Sequence, residues 1–499
     1  MSFLATIQGT NDLAERFGPA LWEGAGAATA SIFAIGIGVL LLLLCEIVTA
    51  LRGLRGPVFV LALLVALGFQ VAILAGDSVP GAVLEGTFVA DRGTALWGIL
   101  FCMGTLLAWI YSIGYYDRED RPFKLEHDAL LLAAPAGMMM MVGAGDLIVF
   151  FIGLELLSIP LYALAAFRRA RARSVEAGVK YFLLGAFSSA IFLYGAALLY
   201  AACGTISIQG DDSLIAHALA GELSGTLGLA GSALVASSLF FKISAFPFQL
   251  WAPDVYEGSP TPVTALMATG TKAAAFGVLV NLTHLFPASA ATVIAWLALL
   301  TMAVGNLGAL VQDNLKRMLA YSGVAHAGTV LLIVAGGLAG AEHEAGLRAA
   351  LYYMGAYLFT AMGAFGILSL LESDGERYLT FDGIRGLAQS RPGLAAALAL
   401  FMLSLGGIPA TGGFLGKWLV FSNLVSAELY GIAIAGALLS VVALGYYLRV
   451  IVALYMQPAD DSRAAPYAAR PLTAGLATVL CVAGVLLTGL APGLFLGLL

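Results

Sequence analysis

The sequence predicts an all-α polytopic membrane protein of 14 transmembrane helices, arranged as two inverted five-helix repeats with helices 7 and 12 discontinuous. Three observations predict this. Hydrophobic residues make up 61% of the 499 residues and charged residues only 11%, whereas a soluble domain carries about 25% charged residues. The apolar residues gather into 14 runs, each long enough to cross roughly 30 Å of hydrocarbon, which takes about 20 residues. Lysine and arginine are distributed unevenly between alternate gaps. The runs are continuously apolar rather than alternating, so membrane-spanning β-structure is not expected.

The runs cover approximately 28–50, 57–76, 94–115, 127–144, 146–167, 177–201, 225–251, 260–283, 289–311, 315–338, 347–371, 393–424, 430–455 and 472–498. Cytoplasmic loops carry an excess of Lys and Arg. With the N-terminus outside the cytoplasm, 16 of the 24 basic residues fall in cytoplasmic gaps, and only Arg16, Arg92 and Arg348 in the opposite ones. A missed or invented helix would scramble this asymmetry. A bacterial inner membrane with both termini periplasmic is therefore expected. The N-terminus lacks a basic segment before a short apolar run, so a cleaved signal peptide is not expected.

Residues 1–126 hold the first three helices, 127–283 the first inverted repeat (helices 4–8), 284–456 the second (helices 9–13), and 457–499 the last helix. The repeats are read from two interruptions. In the seventh run Pro247 follows Lys242 by five residues, and in the twelfth Gly406, Gly407, Pro409, Gly412, Gly413 and Gly416 precede Lys417. Proline removes a helical hydrogen bond, and breaks at membrane depth are tolerated only against protein or a wet cavity. Interrupted helices at matching positions of inverted halves point to an ion path. Two unrelated proline kinks are the plainer alternative.

The ionisable residues carry the functional reading. Of six lysines, Lys180, Lys242, Lys272 and Lys417 lie inside apolar runs, while the 18 arginines are almost confined to the gaps. A buried ammonium costs roughly 2.5–3.5 kcal/mol even on lenient insertion scales. A desolvated lysine can release its proton, whereas arginine holds its own. The chain thus keeps its proton-releasing cation for the membrane interior. Glu155 lies in mid-span with Lys242 as its expected partner, and His326 can both donate and accept near neutrality. Lys242, Lys272, His326 and Lys417 read as a proton relay tuned by Glu155. The alternative for Lys242, Lys272, Lys417 and Glu155 is a set of static ion pairs in a purely structural subunit, and for His326 a hydrogen-bonded packing residue. Lys180 and Arg449 sit near span ends, where snorkelling to the surface is the competing reading, and Glu46 reads as interfacial.

Other chemistry finds no support. There is no dinucleotide fingerprint, no phosphate loop and no basic patch for nucleic acid. Cys45, Cys102, Cys203 and Cys481 are too widely spaced for a metal or disulfide framework and read as packing residues.

The stretch Phe241-Lys-Ile-Ser-Ala-Phe-Pro-Phe-Gln-Leu-Trp-Ala-Pro-Asp-Val-Tyr-Glu-Gly-Ser-Pro-Thr-Pro262 resembles the signature of the antiporter-like subunits of respiratory complex I, which are related to multisubunit cation/proton antiporters. The stretches 179–189, 321–328 and 406–417 narrow the resemblance to the subunit N branch of bacterial NADH–quinone oxidoreductases. The resemblance implies that Glu155 partners Lys242, that Lys272 is the central relay residue, and that Lys417 faces the second half-channel. It implies no cofactor on this chain, with FMN, iron–sulfur clusters and quinone in other subunits. The implied partners are other membrane-arm subunits, including a neighbouring antiporter-like subunit and small membrane subunits, within a lipid bilayer. A subunit of a multisubunit cation/proton antiporter is the alternative.

Overall fold

The computed structural model describes residues 25–76, 81–116, 125–372, 379–458 and 472–498. Arg16, Arg118, Arg121, Lys124, Arg377, Arg463, Arg470 and both termini, all used in the orientation argument, lie outside the described residues.

Within them, 13 helices are long and apolar enough to cross a membrane, and Pro392–Gly406 is a shorter apolar helix. The first helices are α1 (Ala25–Ile47), α2 (Arg55–Ala75), α3 (Arg92–Tyr116), α4 (Leu125–Val142), α5 (Leu147–Ala165) and α6 (Ala172–Cys203). The seventh run is broken into α7 (Thr226–Ile243) and α8 (Trp251–Gly258), and it extends beyond the expected end at 251. Next come α9 (Thr261–Leu266), a π-helical turn (Met267–Thr271) and α10 (Lys272–Asn281). Then follow α11 (Ala290–Leu310), α12 (Leu315–Leu338) and α13 (His343–Glu372). The twelfth run is broken into α14 (Pro392–Gly406) and α15 (Gly412–Ser426); α16 (Tyr430–Tyr455) and α17 (Leu472–Leu490) complete the bundle.

The core is the group α9–α10, α12 and α13. Residues 259–280 are buried without exception. α11 and α16 pack outside α12, and α6 packs outside α7. Their outer faces carry exposed apolar side chains such as Phe187, Trp296, Leu438 and Val441, the surface a bilayer solvates. Between α2 and α3 the chain forms a small antiparallel hairpin, β1 (Gly81–Val83) with β2 (Phe88–Ala90). This hairpin was not anticipated. It lies in a gap between spans, where the apolar-run argument against β-structure does not apply.

Both breaks keep their backbone groups satisfied. After α7, Ser244 adopts a left-handed conformation and its N–H returns to Phe240 and Phe241. Trp251 Nε1 donates to the Phe241 carbonyl at 3.0 Å, and Phe246 N–H donates to Thr301 Oγ1 at 2.9 Å. After α14, left-handed Gly407 and then Ile408 return N–H groups to Ser404 and Leu403, each at 3.0 Å. That leaves the carbonyls of Leu405 and Gly406 free for another donor. At the π turn, the Met267 carbonyl accepts from Thr271 Oγ1 at 2.6 Å and from the Tyr256 hydroxyl at 3.1 Å.

Candidate proton-carrying site

Lys242 ends one residue before the break in α7 and is 4% exposed. Its Nζ donates to Ser158 Oγ on α5 at 2.5 Å and lies 5.7 and 5.9 Å from the ring centroids of Tyr181 and Tyr162. Aromatic faces at that range attract a cation. The expected direct Glu155–Lys242 ion pair is not formed. Glu155 is half-buried and accepts a hydrogen bond from Ser189 on α6. Ser158, one turn further along α5, meets the ammonium instead. A turn of helix separates the two acceptors, and the short serine reaches the lysine where the carboxylate has swung to the neighbouring helix.

Lys272 is the first residue after the π turn. Such turns are rare and recur at functional sites. Its Nζ donates to the Gly323 carbonyl on α12 at 2.6 Å and stands 5.9 Å over the Tyr256 ring. Lys417 lies on α15 beyond the second break. Its Nζ donates to Gly406 at 2.9 Å and to Leu405 at 3.2 Å, the two carbonyls left free at the end of α14. The last carbonyls of a helix carry partial negative charge, which suits an ammonium. His326, on α12, shares hydrogen bonds through Nδ1 with Tyr353 OH at 2.6 Å and through Nε2 with Tyr447 OH at 3.0 Å. Tyr447 OH also meets Ser322 Oγ at 2.5 Å.

The structure thus gathers Lys272 of α10, His326 of α12 and Lys417 of α15 in one part of the core. Lys242 stands apart with the Ser158 and tyrosine cage, and Glu155 is displaced towards α6. Each of the three lysines is held by uncharged oxygen atoms.

Two cations near span ends reach acidic partners, and a third is buried. Lys180 is half-exposed and bridges Glu176 at 2.7 Å and Asp254 at 2.9 Å. Arg449 reaches Asp313 at 2.9 Å, with its guanidinium 3.9 Å from the Phe381 centroid. Lys316, one of the 16 basic residues counted from sequence in cytoplasmic gaps, is 1% exposed at the start of α12. Its Nζ donates to the Ser259 carbonyl at 2.8 Å and lies 3.8 Å from Glu372. Glu372 also takes Arg168 Nη1 at 2.6 Å, Tyr115 OH at 2.9 Å and the Thr261 hydroxyl. The signal available in sequence was a glutamate closing one apolar run and a lysine opening another at the same membrane face.

Residues 144–443 match the family model described as NADH:quinone oxidoreductase/Mrp antiporter, TM. The chain is 41% identical over 497 residues to NADH-quinone oxidoreductase subunit N of Myxococcus xanthus, covering 92% of this chain and 94% of that relative. Among solved structures it is similar to a chain of respiratory complex I from Thermus thermophilus with bound aureothin. The TM-score is 0.78 at 32% identity, over 94% of this chain and 98% of that one. A chain of the Mrp complex from Dietzia sp. gives a TM-score of 0.81 at 22% identity, over 94% and 96% respectively, a likeness of fold.

Proposed function

Because the chain belongs to the NADH-quinone oxidoreductase subunit N family, we propose that it is a membrane-arm subunit that moves protons, driven by quinone reduction elsewhere in the complex. The observation that carries the reading is the row of buried ammonium groups at Lys242, Lys272 and Lys417, each beside a helix interruption and each held by neutral oxygens rather than carboxylates. A buried ion pair would fix the charge in place. Hydroxyl and carbonyl acceptors hold it less firmly, so the proton can leave.

In this reading the broken segments are counterparts in two inverted repeats, and the subunit lies in a bacterial inner membrane with periplasmic termini. Redox energy released in partner subunits alters the field at Lys242 through Glu155. The proton then passes from Lys242 to Lys272 and on past His326 to Lys417. Water fills the gaps, since the helices stand further apart than a hydrogen bond spans. FMN, iron–sulfur clusters and quinone belong to other subunits. Identity to subunit N relatives over most of the chain favours this reading over a free-standing cation/proton antiporter.

Lys242→Ala or Glu155→Ala, made in the whole complex and reconstituted into liposomes, is expected to lose most NADH-driven proton uptake while assembly persists. Normal proton uptake in both variants would overturn the mechanism. Co-purification with flavin and iron–sulfur subunits separates the complex I reading from the antiporter reading.

A further inference from the structure

We infer that Tyr357, with one water held beside it, passes the proton between Lys272 and Lys417. The inference rests on the proton-carrying reading above and assigns the group that closes its central gap. His326 lies nearby, but both of its ring nitrogens are already engaged, by Tyr353 at 2.6 Å and Tyr447 at 3.0 Å. Its ring packs against that of Tyr357 with centroids 5.0 Å apart. The imidazole is braced, whereas the Tyr357 hydroxyl is not: no described residue hydrogen-bonds it.

On one side that hydroxyl meets the Lys272 site. Gly323 has no side chain, and the point where a Cβ would stand lies 3.0 Å from Lys272 Nζ and 3.2 Å from Tyr357 OH. Ammonium and phenol therefore share the notch that this glycine leaves open. On the other side Tyr357 lines a small cavity of about 10 Å³, together with His326, Tyr353, Thr360, Ser404 and Leu405. That is about the space one water needs, and a water also needs two to four polar partners. The cavity offers them: the phenol, and the Thr360 and Ser404 hydroxyls, which lie 3.0 Å from each other. The same Leu405 supplies a carbonyl to Lys417 Nζ at 3.2 Å. Tyr357 thus stands between the two lysines with a free hydroxyl and a water-sized space on the Lys417 side.

The transfer balances. The Lys272 ammonium gives a proton to the phenol oxygen as the phenol's own proton leaves to the cavity water. The water passes one on to the Lys417 amine, directly or through Ser404. One proton moves from Lys272 to Lys417, and Tyr357 and the water end unchanged.

Tyr357→Phe in the intact complex tests this, because it removes the hydroxyl and keeps the ring that packs on His326. Proton uptake in liposomes is expected to fall several-fold with assembly unchanged. A water-resolving map of the unaltered complex is expected to show an ordered water within hydrogen-bond distance of the Tyr357 hydroxyl, lost in the variant. Wild-type proton uptake in Tyr357→Phe, while Lys272→Ala and Lys417→Ala are impaired, would overturn the role of Tyr357 and leave the relay standing. Unimpaired Lys272→Ala and Lys417→Ala variants would instead overturn the relay itself. Should the phenylalanine variant not assemble, a dry cavity in the unaltered complex would overturn the inference.

Discussion

Lys242, Lys272 and Lys417 are each stabilised by oxygens that bear no full charge. A hydrogen bond to a charged group contributes about 1.5–3 kcal/mol, close to the cost of placing the charge at depth. That near balance is what the proposed relay requires of its lysines. The lysines were legible in sequence because a charge in an apolar run stands out. Their partners were not, because the carbonyls of Gly323, Leu405 and Gly406 are the same chemical group in every residue, and only the fold selects which of them an ammonium meets. One residue outside the spans also titrates. His217 meets Glu222 at 2.5 Å and Asp212 at 2.9 Å, and these carboxylates raise it above its ordinary value. The clamp is therefore complete below the usual histidine pKa of about 6.5 and is lost as pH rises through the raised value. Hydrogen-exchange protection across 209–224, taken relative to the intrinsic exchange rate at each pH, is expected to fall above that pH, and His217→Gln to remove that fall. Protection of this loop that stays constant with pH in the unaltered protein would contradict the clamp.

At the scale of elements, the interruptions position the chemistry. Pro247 and the glycine run before Lys417 announced two of them, because proline lacks an N–H and glycine adopts left-handed backbone at little cost. The third, the π turn before Lys272, gave no such notice. Its residues Met267–Thr271 hold one glycine and no proline, and the extra residue per turn is decided by which groups donate to the freed Met267 carbonyl. The break between α14 and α15 depends on close packing as well. A Cβ on Gly413 would stand 1.9 Å from the Ser404 carbonyl, whereas a Cβ on Gly431 meets nothing within 4 Å. Gly413→Ala is expected to destabilise the subunit by about 1–3 kcal/mol, the usual penalty of overpacking, and Gly431→Ala to leave it unharmed. Thermal unfolding of the two purified variants checks the contrast.

Across the whole molecule, the buried carboxylate of Glu372 draws together α3, α9, α12 and the loop after α5. It does so through Tyr115, Thr261, Lys316 and Arg168. Next to it, Arg317 on α12 holds Asp254 at 2.7 Å and Glu257 at 3.0 Å on α8. The half-helix after the first break is thereby tied to the helix that carries His326. Removing one partner of a buried ion cluster typically costs about 3–5 kcal/mol. Glu372→Gln keeps the shape and is expected to lower stability by about that amount, seen as a reduced melting temperature and poorer assembly. A variant as stable as the unaltered protein would show that the cluster is not a tie. The sequence by itself determined the class of molecule, the location of most spans and the depth of three lysines, since each follows from how much apolar chain surrounds a charge. The tertiary structure decided what those charges meet: Ser158 in place of Glu155, a glycine carbonyl for Lys272, two helix-end carbonyls for Lys417, and a buried site for Lys316. Such partners lie 11 to 84 residues away along the chain, and only the packing of helices and half-helices brings them within hydrogen-bond reach.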